Sequence, residues 1–294
     1  MESNKQAIIA ILFAAVLFTA MGMFVKILTP NLPVMEVVFA RNFFGVVWIL
    51  VALLLHPPKQ IGGKPFVLAL RGFAGGSAML AYFYNMSVMS LGTAYAFSYT
   101  SPIFLALFSA LFIHDKVALK TWIAIALGFS GILLISNPKG ADFTFLGICI
   151  GLYSGIGAAL AYLSITKLAK LYDTRVIILS LMLVGTILPL LTQLVPYANY
   201  PIVLFKPFVM PNLKEFLLFL ALGLVSTYAQ IYLTKAYSLG NPPIIGAISY
   251  STILLATLAG IALGDKTPNT LVILGMLLII CGGILAVLHK HQQN

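Results

Sequence analysis

The sequence predicts an all-α membrane protein with ten transmembrane helices in two inverted five-helix repeats. Three observations lead there. Of the 294 residues, 61% are hydrophobic and only 8% charged, and a mean hydropathy of +1.05 leaves too little polar surface to cover a soluble globule of this size. The apolar runs are about 18–23 residues long, which suits membrane-spanning helices and not the roughly 10-residue alternating strands of a barrel. The chain also repeats itself. Ser90-Leu91-Gly92 and an apolar run ending in Asp115-Lys116 return as Ser238-Leu239-Gly240 and a run ending in Asp265-Lys266, an interval of about 150 residues that marks a duplicated module.

Hydropathy and the breaks at Pro, Gly, Asn and charge place five spans in the first repeat, residues 1–140, and five in the second, residues 141–294. The first span, 6–28, is longer than a signal-peptide core, has only Lys5 as a basic flank and lacks a small-x-small cleavage site, so it reads as a retained helix. Spans at 34–55, 66–90 and 93–113 follow. The short gap at Ser90-Leu91-Gly92-Thr93 reads as a tight hairpin between the third and fourth, and Pro102 is expected to break the fourth, freeing a carbonyl. The fifth span is 119–137. The second repeat gives 146–168 and 175–196, then the longest loop, Tyr197 to Leu213. That loop holds Pro201, Pro207 and Pro211 and reads as an irregular cap at the membrane face. Spans at 214–238, 242–263 and 270–288 complete the set. Gly72, Gly75, Gly76, Gly128, Gly131, Gly151, Gly155, Gly282 and Gly283 have spacings that let helix backbones touch. Cys149 and Cys281 fall inside spans, which argues against a disulfide framework.

Orientation follows from Lys and Arg near the span ends. With the N terminus inside, the inner segments carry Lys5, Lys59, Lys64, Arg71, Lys116, Lys120, Lys167, Lys170, Arg175 and Lys290, against Lys26, Lys139, Lys206, Lys214 and Lys266 outside. The excess places both termini in the cytoplasm. An odd number of spans per repeat then inverts one half relative to the other. The net charge of +10 is largely this topology signal, and scattered basic loops offer no nucleic-acid site.

Several pieces resemble the EamA-type repeat of the drug/metabolite transporter superfamily. They are Phe39-Ala40-Arg41-Asn42, Ala81 to Asn85, Tyr99-Thr100-Ser101-Pro102-Ile103-Phe104 and Gly128 to Leu134, with Tyr232 to Tyr237 and Leu274 to Leu285 in the second half. The resemblance covers essentially the whole chain and implies ten helices in two inverted repeats around a central cavity. Where members of that family often end the fourth and ninth spans with Gly-Glu, this chain has His114-Asp115 and Gly264-Asp265.

The chemistry available is that of binding. The acids Glu2, Glu36, Asp115, Asp142, Asp173, Glu215 and Asp265 lie at or near span ends, and the histidines His56, His114, His289 and His291 lie in loops or the tail. No metal-ligand spacing or Ser/His/Asp set emerges, so an enzyme is the weaker reading and neither a metal nor a cofactor is implied. Intramembrane cations are the sharper clue. Arg41 either pairs locally or gives a cavity positive charge. Lys235 either snorkels to the interface or does the same. Arg71, a turn inside its span, reads foremost as a cytoplasmic anchor.

Polar and aromatic stripes place the cavity. Tyr95, Tyr99 and Pro102 fall at i, i+4 and i+7 with Ser98 and Ser101 beside them, and Thr227, Gln230 and Thr234 share a face next to Tyr228 and Tyr232. Single hydroxyls in such helices often bond only their own backbone, but their clustering on spans three, four, eight and nine suits a site between repeats. The expected substrate-binding residues are Arg41, Tyr82, Asn85, Tyr95, Ser98, Tyr99, Ser101, Tyr228, Gln230, Tyr232, Lys235, Tyr250 and Ser251. Together these imply a secondary transporter in the inner membrane for a small polar or amphipathic metabolite, such as an amino acid or nucleoside-like compound. A lipid or lipid-linked-sugar flippase and a small-solute channel are the alternatives. The partners are a small-molecule substrate and the lipid bilayer, with a homodimer left open as the assembly.

Overall fold

The computed structural model describes residues 2–58, 62–113, 144–198, 203–240 and 242–290, with a few helical positions between 123 and 134. Most of the expected fifth span, with His114, Asp115, Lys116 and Lys120, lies outside the described residues. What is described is helical throughout: α1 (Glu2–Leu28), α2 (Val34–Leu55), α3 (Pro65–Val88), α4 (Leu91–Ser98), α5 (Ser101–Ile113), α6 (Phe145–Leu168), α7 (Thr174–Thr192), α8 (Leu213–Leu239), α9 (Pro242–Ser249), α10 (Ser251–Ala262) and α11 (Thr270–Lys290), with one 3₁₀ turn at Val203–Phe205. Six of these, α1, α2, α3, α6, α7 and α8, are long and apolar enough to cross a membrane, and α10 and α11 contain shorter apolar stretches.

The helices are built inside out relative to a soluble bundle. On α2 the exposed face carries Phe43, Val47, Trp48, Leu50, Val51 and Leu54, while Arg41, Asn42 and Gly45 face the interior. Lipid solvates the apolar face, so burial can be spent on polar groups and close backbone contact. Small residues make that contact: a Cβ on Gly72 would lie 2.5 Å from Ser180 O, and one on Gly157 2.9 Å from Ala74 O. These contacts seat α3 against α7 and α6. The main neighbour pairs are α3 with α6, α1 with α8, α3 with α7, α2 with α7 and α8, α4 with α10, α1 with α10 and α5 with α6.

Helix ends are tied by charge and capping. At one end of the bundle Lys26 Nζ donates to Met89 O at 2.7 Å and pairs with Asp265 Oδ1 at 3.0 Å, while Leu91 N donates to Asp265 Oδ2 at 2.7 Å. The cation satisfies a carbonyl just past α3, and the carboxylate sits at the N-terminus of α4, where the helix dipole favours it. At the same end the loop after α7 folds back as a cap: Val209 N donates to Glu36 Oε2 at 2.8 Å, and Phe208 N to Gln193 Oε1 at 3.1 Å. At the opposite end Arg175 donates to Ala52 O at 2.7 Å, to a last-turn carbonyl of α2, and holds Asp173 at 2.8 Å. Asp173 caps α7, and the hydrogen bond from the Arg175 side chain holds its carboxyl below the usual aspartate range.

The fourth span is broken, as Pro102 leads one to expect: it is two helices, α4 and α5, separated at Tyr99-Thr100 just before that proline. The ninth is likewise split into α9 and α10 at Tyr250, where the sequence offered no proline to mark it.

Candidate functional site

Seven helices converge on one central cavity. It has room for a few waters in this conformation. On α3 the lining residues Arg71, Gly75, Ala78, Met79, Tyr82 and Phe83 recur at helical spacing on one face. From Arg71 to Tyr82 the lined length is about 16 Å at 1.5 Å per residue. The rest comes from Phe18 and Met21 of α1, Arg41 of α2, Tyr95 and Ser98 of α4 with Tyr99 after it, Ser154, Ala158, Ala161 and Tyr162 of α6, Leu181 of α7 and Gln230 of α8.

Two arginines dominate the electrostatics. Arg41 and Arg71 are each 1% exposed. Asn42 positions Arg41: its amide nitrogen donates to Val38 O at 2.7 Å and to Gly185 O on α7 at 3.2 Å, and its Oδ1 accepts from Arg41 Nη1 at 2.7 Å. That same Arg41 nitrogen donates to Met79 Sδ, and the guanidinium lies 5.9 Å from the Phe83 ring centroid. Arg41 Nε has no partner among the described residues. Arg71 is held differently. It folds back over its own helix at Gly75, where any Cβ would collide with Nη1. None of its three guanidinium nitrogens finds an acceptor among the described residues. The expected cytoplasmic anchor is therefore a buried cavity residue, with Ala161 of α6 and Leu181 of α7 packed beside it at Gly75.

Aromatic rings form the wall beside the arginines. Tyr82 meets Tyr95 edge-on at 5.1 Å, and Tyr95 stacks on Tyr99 at 5.9 Å. The Tyr95 hydroxyl donates to Phe18 O and is also a hydrogen-bond partner of the Tyr82 hydroxyl, whereas Gln230 Oε1 has no partner among the described residues. Ser154 bonds its own helix, donating to Gly151 O at 2.7 Å, as the bland reading of membrane hydroxyls requires. The cavity thus offers positive charge, free donors and flat apolar surface, and no carboxylate is among the described residues that line it.

Of the residues expected from the sequence, Arg41, Tyr82, Tyr95, Ser98, Tyr99 and Gln230 are brought together here. The others lie elsewhere. Tyr228 is 50% exposed and Lys235 is exposed too, both on the outer surface of α8. Tyr232 packs against Phe13 at 4.8 Å. Asn85 is buried against Gly151, and Ser101 and Tyr250 are buried outside the lining, with half-buried Ser251 beside them. Arg71 and the α6 residues Ser154 and Tyr162 were missed as site residues. Gly75, one turn past Arg71, is the signal that marks space for a long side chain.

Comparison with known proteins agrees with this architecture. A family model described as the EamA-like transporter family matches residues 5–137. An uncharacterized transporter of Helicobacter pylori (strain ATCC 700392 / 26695) is 34% identical over 286 residues, 95% of this chain and 93% of that one. The pseudopaline exporter CntI of Pseudomonas aeruginosa (strain UCBPP-PA14) is 29% identical over 283 residues, 94% of each chain. One solved crystal structure shares the fold, with a TM-score of 0.71 over 99% of both chains at 18% identity.

Proposed function

Since the chain belongs to the EamA-like transporter family, we propose that it is a secondary transporter working by alternating access. In this reading it moves a small polar or amphipathic metabolite, such as an amino acid or nucleoside-like compound, across the inner membrane with both termini cytoplasmic. The observation that carries it is the central cavity lined by Arg41, Arg71 and the tyrosines, since polar groups this deep in a membrane bundle are costly unless they serve a solute.

The ten-helix, two-repeat organisation, residues 1–140 and 141–294, belongs to the same reading. Matched positions support it. Phe18 and Ala158, Met21 and Ala161, and Arg41 and Leu181 all line the cavity, and each pair is 140 residues apart, as are the ends of α1 and α6 at Leu28 and Leu168. Tyr82 and Gln230 are 148 apart, the interval from Ser90 to Ser238. Neighbours exchange in the same way: α3 on α6 mirrors α8 on α1, and α5 on α6 mirrors α10 on α1. A site on such an axis is where rocking of one half against the other exposes it to each side in turn. The Lys26–Asp265 pair, joining α1, α4 and the segment after α10, closes one end in this conformation. Its rupture would open that end.

A thermal-shift screen of the purified protein against a metabolite library identifies the solute, since a ligand at a hundred times its Kd stabilises by about 2.7 kcal/mol. In proteoliposomes that solute should show saturable uptake accelerated by the same solute inside. Flux that rises linearly with concentration and ignores the trans side would make the protein a channel.

A further inference from the structure

We propose that the cavity takes a small organic dianion, a dicarboxylate whose two carboxylates meet Arg41 and Arg71 respectively. The inference rests on the transport reading above and narrows its substrate class. Charge balance is the first reason. Both guanidinium groups are buried and no carboxylate is among the described residues that line the cavity, so among those residues two positive charges are held out of water without a counter-charge. Such charges are costly until an opposite charge arrives. A monoanion leaves one of them uncompensated, and a dianion leaves neither.

Donor placement is the second reason. Arg71 Nε, Nη1 and Nη2 and Arg41 Nε have no acceptor among the described residues, and a guanidinium binds carboxylate with two parallel hydrogen bonds. The two groups are also spaced. Arg71 Nη1 lies over Gly75 and Arg41 Nη1 contacts the Met79 side chain, two residues one turn apart on α3, about 6 Å along its axis at 1.5 Å per residue. That is comparable with a carbon chain of about four to six atoms at about 1.5 Å per bond. Met21 and Leu181 add apolar surface to the same lining, which suits a hydrocarbon middle.

The test uses full-length purified protein and direct binding with thermal shift. Malonate, succinate, glutarate and adipate are the probes, set against butyrate and pentanoate and against inorganic phosphate. A diacid of four to six carbons should bind at least about tenfold more tightly than the monocarboxylate of equal length, the contribution of one charge-assisted pair. Arg41→Gln and, separately, Arg71→Gln should erase that preference, and Arg71→Lys should keep part of it. Equal binding of mono- and dicarboxylates by the parental protein overturns the proposal even where no variant folds. So does phosphate binding more tightly than every diacid, or no diacid binding at all. Saturable counterflow of a neutral or cationic solute alongside those results would leave transport standing and remove the dianion. Tight diacid binding with no counterflow would do the reverse.

Discussion

Replacing Arg71 with Gln should make the empty protein more stable and its complex with substrate less so. The guanidinium is 1% exposed with all three nitrogens unpartnered among the described residues, and removing an uncompensated buried charge relieves its desolvation cost. A gain of about 1 kcal/mol would raise Tm by about 2–4 °C in a chain of this size, read by thermal unfolding without added solute. A fall in Tm would make Arg71 a structural residue with an unseen partner. The same residue shows where sequence reading ends at this scale. Among the cavity-lining residues, Tyr95, Ser98, Tyr99 and Gln230 were singled out because they sit on polar stripes at helical spacing, and Arg41 because it is a cation inside a span. Arg71 was misread because depth counted along one helix ignores what packs over it. Tyr228 and Lys235 were misplaced because a stripe fixes which residues share a face but not whether that face looks inward.

Helices were legible wherever an apolar run meets Pro, Gly or a charge, and α3, α8 and α11 begin within one residue of the expected starts. The split at Tyr99-Thr100 had Pro102 to announce it. The split at Tyr250 had no such breaker, since Ser251 and Thr252 are tolerated inside membrane helices. Two element ends give tests. Asp173 caps α7 and pairs with Arg175, so Asp173→Ala should cost about 1 kcal/mol, a typical capping loss. Because the folded-state carboxyl titrates below its ordinary value, that stability is present above the unfolded pKa and is lost as pH falls through the folded one. The Tm difference between parent and variant should therefore hold steady down to about pH 4 and shrink below it; a difference that grows on acidification would contradict the pairing. At the other end, Asp265→Asn removes the charge that joins Lys26 to the start of α4. It should cost about 1–3 kcal/mol and increase solvent access to the cavity from that end, measured by labelling of a cavity cysteine. Unchanged labelling would mean the pair is packing and not a closure.

For the whole molecule, composition carried the all-helical membrane class, and the Lys/Arg distribution gives an orientation to test. Reporters fused after Asn294 and near Lys120 should read cytoplasmic and one near Lys266 external; an external C terminus would break the inverted arrangement together with the orientation. The cavity's full outline was not legible, because α6 contributes through small residues such as Ala158 and Ala161, and small residues in a membrane helix read equally as packing. Alternating access at this cavity is the central claim, and Ser98, which lines it from α4, reports on it most directly. With Cys149 and Cys281 replaced and Ser98→Cys introduced, a membrane-impermeant thiol reagent should label the protein from each side of the membrane in turn as conditions favour one state or the other, and bound solute should protect it. Labelling from one side only under every condition, or from neither, would contradict the account.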